Sequence, residues 1–227
     1  IRDQPRSRGL GDVYKRQKLV SLNIALPETV NLDGGNKRCR TGIFKKPITG
    51  KIFLSESGFD GDGVGDTRIH GGKDLAVCAY FTGHFSFWET ELNRKIEAGA
   101  FGENLSLAGI NETQIHIGDK FSLGDAEIEV SQPRQPCHKL NKIFQFQGMA
   151  CKVQTTGYTG CYFRVKKPGW IEPDFVIKKI YDGDEKISID MVNILMFKEK
   201  KNSDLLKKVV QLDTLSVEWR DKFLKRL

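Results

Sequence analysis

Apolar and polar positions alternate in several short stretches of the chain. Val20, Leu22, Ile24 and Leu26 are separated by polar or small residues, the period-two signature of a half-buried strand. Cys39–Phe44 and Lys51–Ser55 are further short strand candidates, separated by Pro47 and Gly50, and the compact apolar run Leu75–Tyr80 predicts another. The period then changes: in His84–Lys95, Phe85, Trp88 and Leu92 fall on one helical face. From 115 to 130 alternation returns. Ile115 and Ile117 alternate, Gly118-Asp119 turns, Phe121 and Leu123 alternate, Gly124-Asp125 turns, and Ala126, Ile128 and Val130 alternate. Two tight turns between alternating runs predict an antiparallel meander. Asp174–Tyr181 is the last strand candidate.

The character changes near Asp182–Lys186. Ser188, Ser203 and Ser216 each stand where they cap a helix, through about Phe197, through about Leu212 and to the chain end, with an acid in each first turn. Trp219, Phe223 and Leu227 share one face of the last helix. The expected architecture is mainly β: a closed or nearly closed β-barrel with irregular insertions over 18–182, no βαβ fold, and a small three-helix tail over 183–227.

Composition narrows the functional classes. No run approaches the ~18 apolar residues of a membrane span, and there is no secretory signal pattern. Five cysteines in 227 residues, with no CxxC pair, make no disulfide framework and fit a reducing cytoplasm. Residues 1–17 hold five Lys/Arg and two Asp, so they carry +3 of the net charge of +7. They show no apolar periodicity and read as a non-native or disordered leader. The remaining mild basic excess suits a small anionic ligand better than nucleic acid.

Three stretches hold candidate chemistry. The first, Asp60–Gly72, is rich in glycine. Its GxGxG spacing lacks the third glycine of a dinucleotide fingerprint. As a calcium loop it fails, because Val64 and Gly71 would stand at positions 5 and 12. Its end, Arg68-Ile69-His70-Gly71-Gly72-Lys73, joins two glycines, whose N–H groups approach an anion closely, to three cations or donors. In the second, Phe101-Gly102-Glu103-Asn104, Glu103 and Asn104 suit the edge of a heterocycle, although a plain turn explains them as well. The third is Ser131-Gln132-Pro133-Arg134-Gln135-Pro136-Cys137-His138-Lys139-Leu140-Asn141. Pro133 and Pro136 stiffen this loop. Cys137 stands among Arg134, His138 and Lys139, where positive charge favours the thiolate. Cys78, Cys151 and Cys161 read as structural thiols. Zinc is a poor fit without paired ligands, and a Cys–His hydrolase with His70 as base has no specific signature.

Taken in order, RIHGGKD, FGENL, a GD turn, SQPRQPCHKLN and Thr156-Gly157 resemble MOSC-domain proteins, and more narrowly those of the bacterial YiiM type, over roughly 18–227. The resemblance implies a barrel similar to that of pyruvate kinase, binding the molybdenum cofactor (Mo-molybdopterin), with Cys137 as thiolate ligand to the metal, which suits a soft site. It assigns Arg68, His70, Lys73, Arg134 and Lys139, with His138 beside Cys137 and the N–H groups of Gly71 and Gly72, to the anionic end of the cofactor. Asn104, Glu103 and Gln132 go to the pterin edge or to support of the metal. The implied activity is reduction of small N-hydroxylated compounds, including hydroxylaminopurine-type base analogues. A separate electron-donating reductase is then required, because the chain has no flavin or iron–sulfur motif. The alternative is a sulfur carrier holding a persulfide on Cys137. A nucleic-acid-binding barrel ranks last.

Overall fold

A computed structural model describes residues 17–31, 38–172 and 176–227. Apart from Gln17, the expected leader lies outside the described residues, as does the start of the strand expected from Asp174. The first half of the chain gives β1 (Lys18–Ile24), β2 (Glu28–Asn31), β3 (Arg38–Thr41), β4 (Lys46–Pro47), β5 (Ile52–Ser55), β6 (Gly58–Phe59), α1 (Thr67–His70), β7 (Val77–Phe81), α2 (Phe85–Leu92) and β8 (Leu105–Ala108). The second half gives β9 (Lys120–Leu123), β10 (Ala126–Pro133), α3 (Lys139–Ile143), α4 (Met149–Thr156), β11 (Cys161–Lys167), β12 (Gly169–Ile171) and β13 (Lys178–Tyr181). Three helices follow, α5 (Ile189–Phe197), α6 (Ser203–Val210) and α7 (Val217–Leu224).

Eight strands make one curled sheet, a half-barrel in the order β13-β9-β10-β11-β7-β8-β1-β4. Two smaller sheets, β12-β5-β6 and β2-β3, flank it. The fold is mainly β as expected, with one local departure. β7 and β8 pair in parallel, joined through α2, so among the described residues the sheet contains one βαβ crossover.

The β1 alternation also changes phase. Leu19 and Leu22 are buried, while Val20 and Leu26 are exposed. The register against β8 shifts between Leu19 and Ser21, and one extra residue moves the following side chains to the other face. Of the predicted meander, Phe121–Leu123 and Ala126–Val130 pair around the Gly124-Asp125 turn. Ile115–Ile117 instead forms only an isolated bridge, His116 to Ser188.

The tail helices follow their caps. Ser188 Oγ accepts from Met191 N at 3.1 Å and Ser216 Oγ from Trp219 N at 3.4 Å. Asn202, not Ser203, caps α6. Trp219 and Phe223 are buried, but α7 ends at Leu224, which leaves Leu227 exposed. One apolar cluster runs from Leu19 and Phe121 in the sheet to Val192, Leu206, Trp219 and Phe223 in the helices. The three helices therefore share the core of the sheet. Among the described residues no helix is long and apolar enough to cross a membrane.

Candidate functional site

The SQPRQPCH stretch carries the chain out of the sheet. β10 ends at Pro133, and Arg134 N donates to Gly160 O at 3.1 Å, which holds the loop against β11. Leu140 N donates to Cys137 O at 3.0 Å as α3 begins. From the tail, Lys222 Nζ donates to Gln135 Oε1 at 3.0 Å. Cys137 is left half-buried on the wall of a cleft.

The cleft has three adjoining compartments, with His70 and Tyr162 on the wall of each. Cys137 borders two of them. One contains Lys45, Gly102, Arg134 and Lys139, the other Gln132, His138 and Glu218. The third lies beneath Gly71 and Gly72, encloses about 850 Å³ of atom-free space open to solvent, and is walled by Lys45, Asp62, Cys78 and Asn104.

A row of side chains crosses the sheet beneath. Gln132 on β10 stands opposite Tyr162 on β11, and Tyr162 opposite Cys78 on β7. Cys78 N then donates to Asn104 Oδ1 at 3.1 Å. In this row Gln132 Oε1 is buried and has no hydrogen-bond partner.

Not every residue singled out in the sequence reaches the cleft. Arg68 and Lys73 border none of the three compartments. Their side chains are 87% and 81% exposed and are paired with Asp66 at 3.0 Å and Glu56 at 2.8 Å. Nearby acids satisfy these cations, so they do not form the expected anion cradle. Gly71 N is also engaged, donating to Thr67 O at 3.1 Å. A Cβ on Gly71 would stand 2.5 Å from that oxygen, so its glycine serves the tight end of α1. Gly72, at φ +109°, has open space at its Cβ position.

Glu103 is buried and holds its own loop. It accepts from Gly99 N at 2.8 Å, Phe101 N at 3.0 Å and Ser106 Oγ at 2.7 Å. Burial nevertheless pushes its carboxyl up. It does not line the cleft, and the turn reading of FGEN applies to it. Gly102 does line the cleft, at φ +75°, where a Cβ would meet Ile43 Cγ1 at 2.6 Å. Asn104 reaches the cleft wall with its amide already committed, Nδ2 donating to Asp62 Oδ2 at 2.8 Å. Arg134 is buried and donates to Phe101 O. Lys139 Nζ donates to Arg40 O at 3.2 Å.

Among the wall residues that the sequence reading did not assign to the site are Lys45, Tyr162, Glu218 and Asp62, the last weighed only as part of a calcium loop. Lys45 and Asp62 form an ion pair with side chains only 6% and 10% exposed. Asp62 also accepts from Ala25 N at 2.9 Å. Lys45 and Asp62 make these contacts with partners distant in sequence, so no local motif marks them.

Electrostatics separates the thiols. Burial pushes the Cys78 and Cys161 thiols up, which keeps them neutral. Tyr162 is likewise pushed well above the ordinary phenol range, first by burial and then by Cys78. Cys151, expected to be structural, is exposed on α4. Burial, then Lys139 and Arg134, hold the His70 imidazole below its ordinary value of 6.5. His70 therefore enters the cleft at neutral pH as an uncharged donor and acceptor.

The chain is similar to known proteins in sequence and fold. The MOSC domain matches residues 66–178, and the YiiM-like 3-alpha helix domain matches residues 187–227. The chain is 42% identical over 212 residues to the uncharacterized protein YflK of Bacillus subtilis, covering 93% of this chain and 95% of that one. It is 35% identical over 133 residues to a Gibberella moniliformis protein described as a reductase, covering 57% of this chain and 24% of that protein. The crystal structure of YiiM from Geobacillus stearothermophilus superposes with a TM-score of 0.80 at 34% identity, covering 93% of this chain and 99% of that chain. These matches place the chain, whose curled sheet is followed by three helices and which carries Cys137 on the loop after β10, in the MOSC-domain family, of the YiiM type.

Proposed function

We propose that the protein is a molybdenum-cofactor-dependent reductase of N-hydroxylated compounds, with hydroxylaminopurine-type bases among its substrates. The observation that carries this is the position of Cys137: a half-buried thiol on the cleft wall, beside the buried and unpartnered Gln132 Oε1. Membership of a family associated with the molybdenum cofactor supports it.

The residues fit such a group. Among the described residues no cluster of three His, Cys, Asp or Glu can hold a bare metal ion. One soft thiolate therefore suits a metal that arrives with ligands of its own. The orphan Gln132 carbonyl offers an acceptor to an N–H of a bound heterocycle, and a buried polar atom of this kind calls for a partner. Arg134 and Lys139, whose bonds within the chain go to carbonyl oxygens and not to acids, stand on the wall where an anionic group would lie.

When bound, the molybdenum cofactor supplies two-electron chemistry that takes oxygen from nitrogen. The balance is R–NHOH plus two electrons and two protons giving R–NH2 and water, and the electrons come from a separate reductase. The chain's own part is to hold and orient. Cys137 anchors the metal end. Gln132 and Tyr162 form the floor across two strands, and the neutral His70 accepts or donates a hydrogen bond without adding charge. The proline-stiffened loop keeps the thiol in place, so little ordering is needed on binding.

The test is molybdenum and pterin analysis of the purified protein, combined with reduction of 6-hydroxylaminopurine by an external electron donor. Wild type retains molybdenum and turns over. Cys137→Ala loses at least about a hundredfold in turnover and melts within about 2 °C of wild type. Full molybdenum-dependent activity in Cys137→Ala overturns the assignment.

A further inference from the structure

The compartment around Cys137 is not walled by the sheet and its loops alone. Its lining includes Glu218, from the last helix of the chain. α7 is fixed there at three points. Ser216 N donates to Ser131 O at 3.0 Å, joining the helix start to β10 one residue before Gln132. Trp219 is buried in the common core. Lys222 Nζ bridges Glu218 Oε1 at 2.5 Å and Gln135 Oε1 at 3.0 Å, two residues before Cys137.

A carboxylate in the first turn of a helix, with a lysine four residues on, is often no more than local helix stabilisation. Its setting here distinguishes Glu218. The other polar side chains on this compartment are His70, Gln132, Gln135, Cys137, His138 and Tyr162. Each of them can donate a hydrogen bond in some state, whereas an ionised carboxylate only accepts. Glu218 is the one carboxylate on the described wall of this compartment. Its side chain is 51% exposed, so it stands at the mouth rather than on the floor. Its Oε1 is taken by Lys222, and among the described residues Oε2 has no hydrogen-bond partner. Its charge also acts on His70, another residue lining this compartment.

We propose that Glu218 is a specificity-determining residue of this cleft, selecting substrates that present N–H or O–H donors and disfavouring those that carry a phosphate. This rests on the reading of the cleft as the site of N-hydroxylated substrates, and it deepens that reading. The preferred substrate is the free base, whose ring and exocyclic N–H and N–OH groups donate to the carboxylate. The corresponding nucleotide brings a dianionic phosphate, which has no N–H or O–H to give Glu218 and must compete with that carboxylate for Lys222, and this costs affinity. The three-helix unit then belongs to the site and is not an appendage to it.

Two measurements on the full chain test this. The first is binding of the unreactive products adenine and adenosine 5′-monophosphate by calorimetry, which needs no turnover. The second is kcat/KM for 6-hydroxylaminopurine and its ribonucleoside 5′-monophosphate. Wild type prefers the base in both. Glu218→Gln reduces that preference about tenfold, weakening the base and strengthening the monophosphate. Asp204→Asn, a matched first-turn acid on α6 away from the cleft, leaves the preference unchanged. An unchanged preference in a folded Glu218→Gln overturns the proposal. If binding preference shifts but wild type reduces neither compound, the role of Glu218 stands and the reductase reading falls. If reduction proceeds with unchanged preference, only the role of Glu218 falls.

Discussion

Two cysteines, Cys137 and Cys78, face the same cleft and differ in nearly everything else. Cys78 sits in the middle of β7, 6% exposed, with its N–H held by Asn104 and its thiol pushed up by burial. Cys137 ends a loop braced by two prolines and by Lys222, and it stays half-buried. The sheet supplies a floor of neutral groups that fixes shape, while the loop supplies the soft ligand. Neighbouring cations in the sequence do not distinguish the two, because the same Arg134 acts on Cys78 through space. Exposure and the absence of a strand ladder distinguish them.

The sharpest way to break this contrast is thiol reactivity. A chromogenic aromatic disulfide, followed by peptide mass mapping, should label Cys137 at least about a hundredfold faster than Cys78 or Cys161, since only an accessible thiolate reacts. Exposed Cys151 should also label early and serves as an internal standard. Labelling of Cys78 at the rate of Cys137 would show that the floor opens, and the division of roles would fail.

The cations show the same division with a smaller effect. Lys45 is buried against Asp62, whereas Arg68 and Lys73 lie in solvent with their own acids. Breaking a buried pair strands a charge, so Lys45→Ala should cost about 3 kcal/mol in urea unfolding. The cost is moderated because Asp62 keeps its bonds from Ala25 and Asn104. Arg68→Ala and Lys73→Ala should leave the melting temperature within about 2 °C. A large loss from either, with none from Lys45→Ala, would reverse the assignment of the cleft's cations.

What the sequence disclosed follows the range of the interactions. Caps at Ser188 and Ser216, the Gly124-Asp125 hairpin and the buried Trp219 and Phe223 depend on residues a few positions apart, and local pattern showed them. The β1 bulge, the parallel β7–β8 pair and the missing strand at Ile115–Ile117 depend on partners elsewhere in the chain. β8 and β11 went unnoticed although both lie in the central sheet. At the site, Cys137 stood out because its loop is self-contained. Arg68 and Lys73 misled because a cation beside glycine gives no sign of which acid neutralises it. Lys45, Asp62, Tyr162 and Glu218 come together only once β11, α7 and the 41–45 segment close on one another.

The smallest expected effect concerns His70, which faces the cleft between the thiol loop and the glycine turn. Burial, then Lys139 and Arg134, hold its pKa below 6.5, while Asp66 and Glu218 oppose the shift. The folded state therefore binds its proton less readily than the unfolded chain does. Stability from this residue is present above pH 6.5 and is lost as pH falls through the folded value. Proton NMR of the imidazole should show a midpoint below that of an unfolded control, and His70→Gln should flatten the rise of stability with pH in that window. Glu218→Gln removes a group that raises the value, so it should move the midpoint lower still. A midpoint above 6.5, or one unmoved by Glu218→Gln, would show that α7 does not act electrostatically across the cleft.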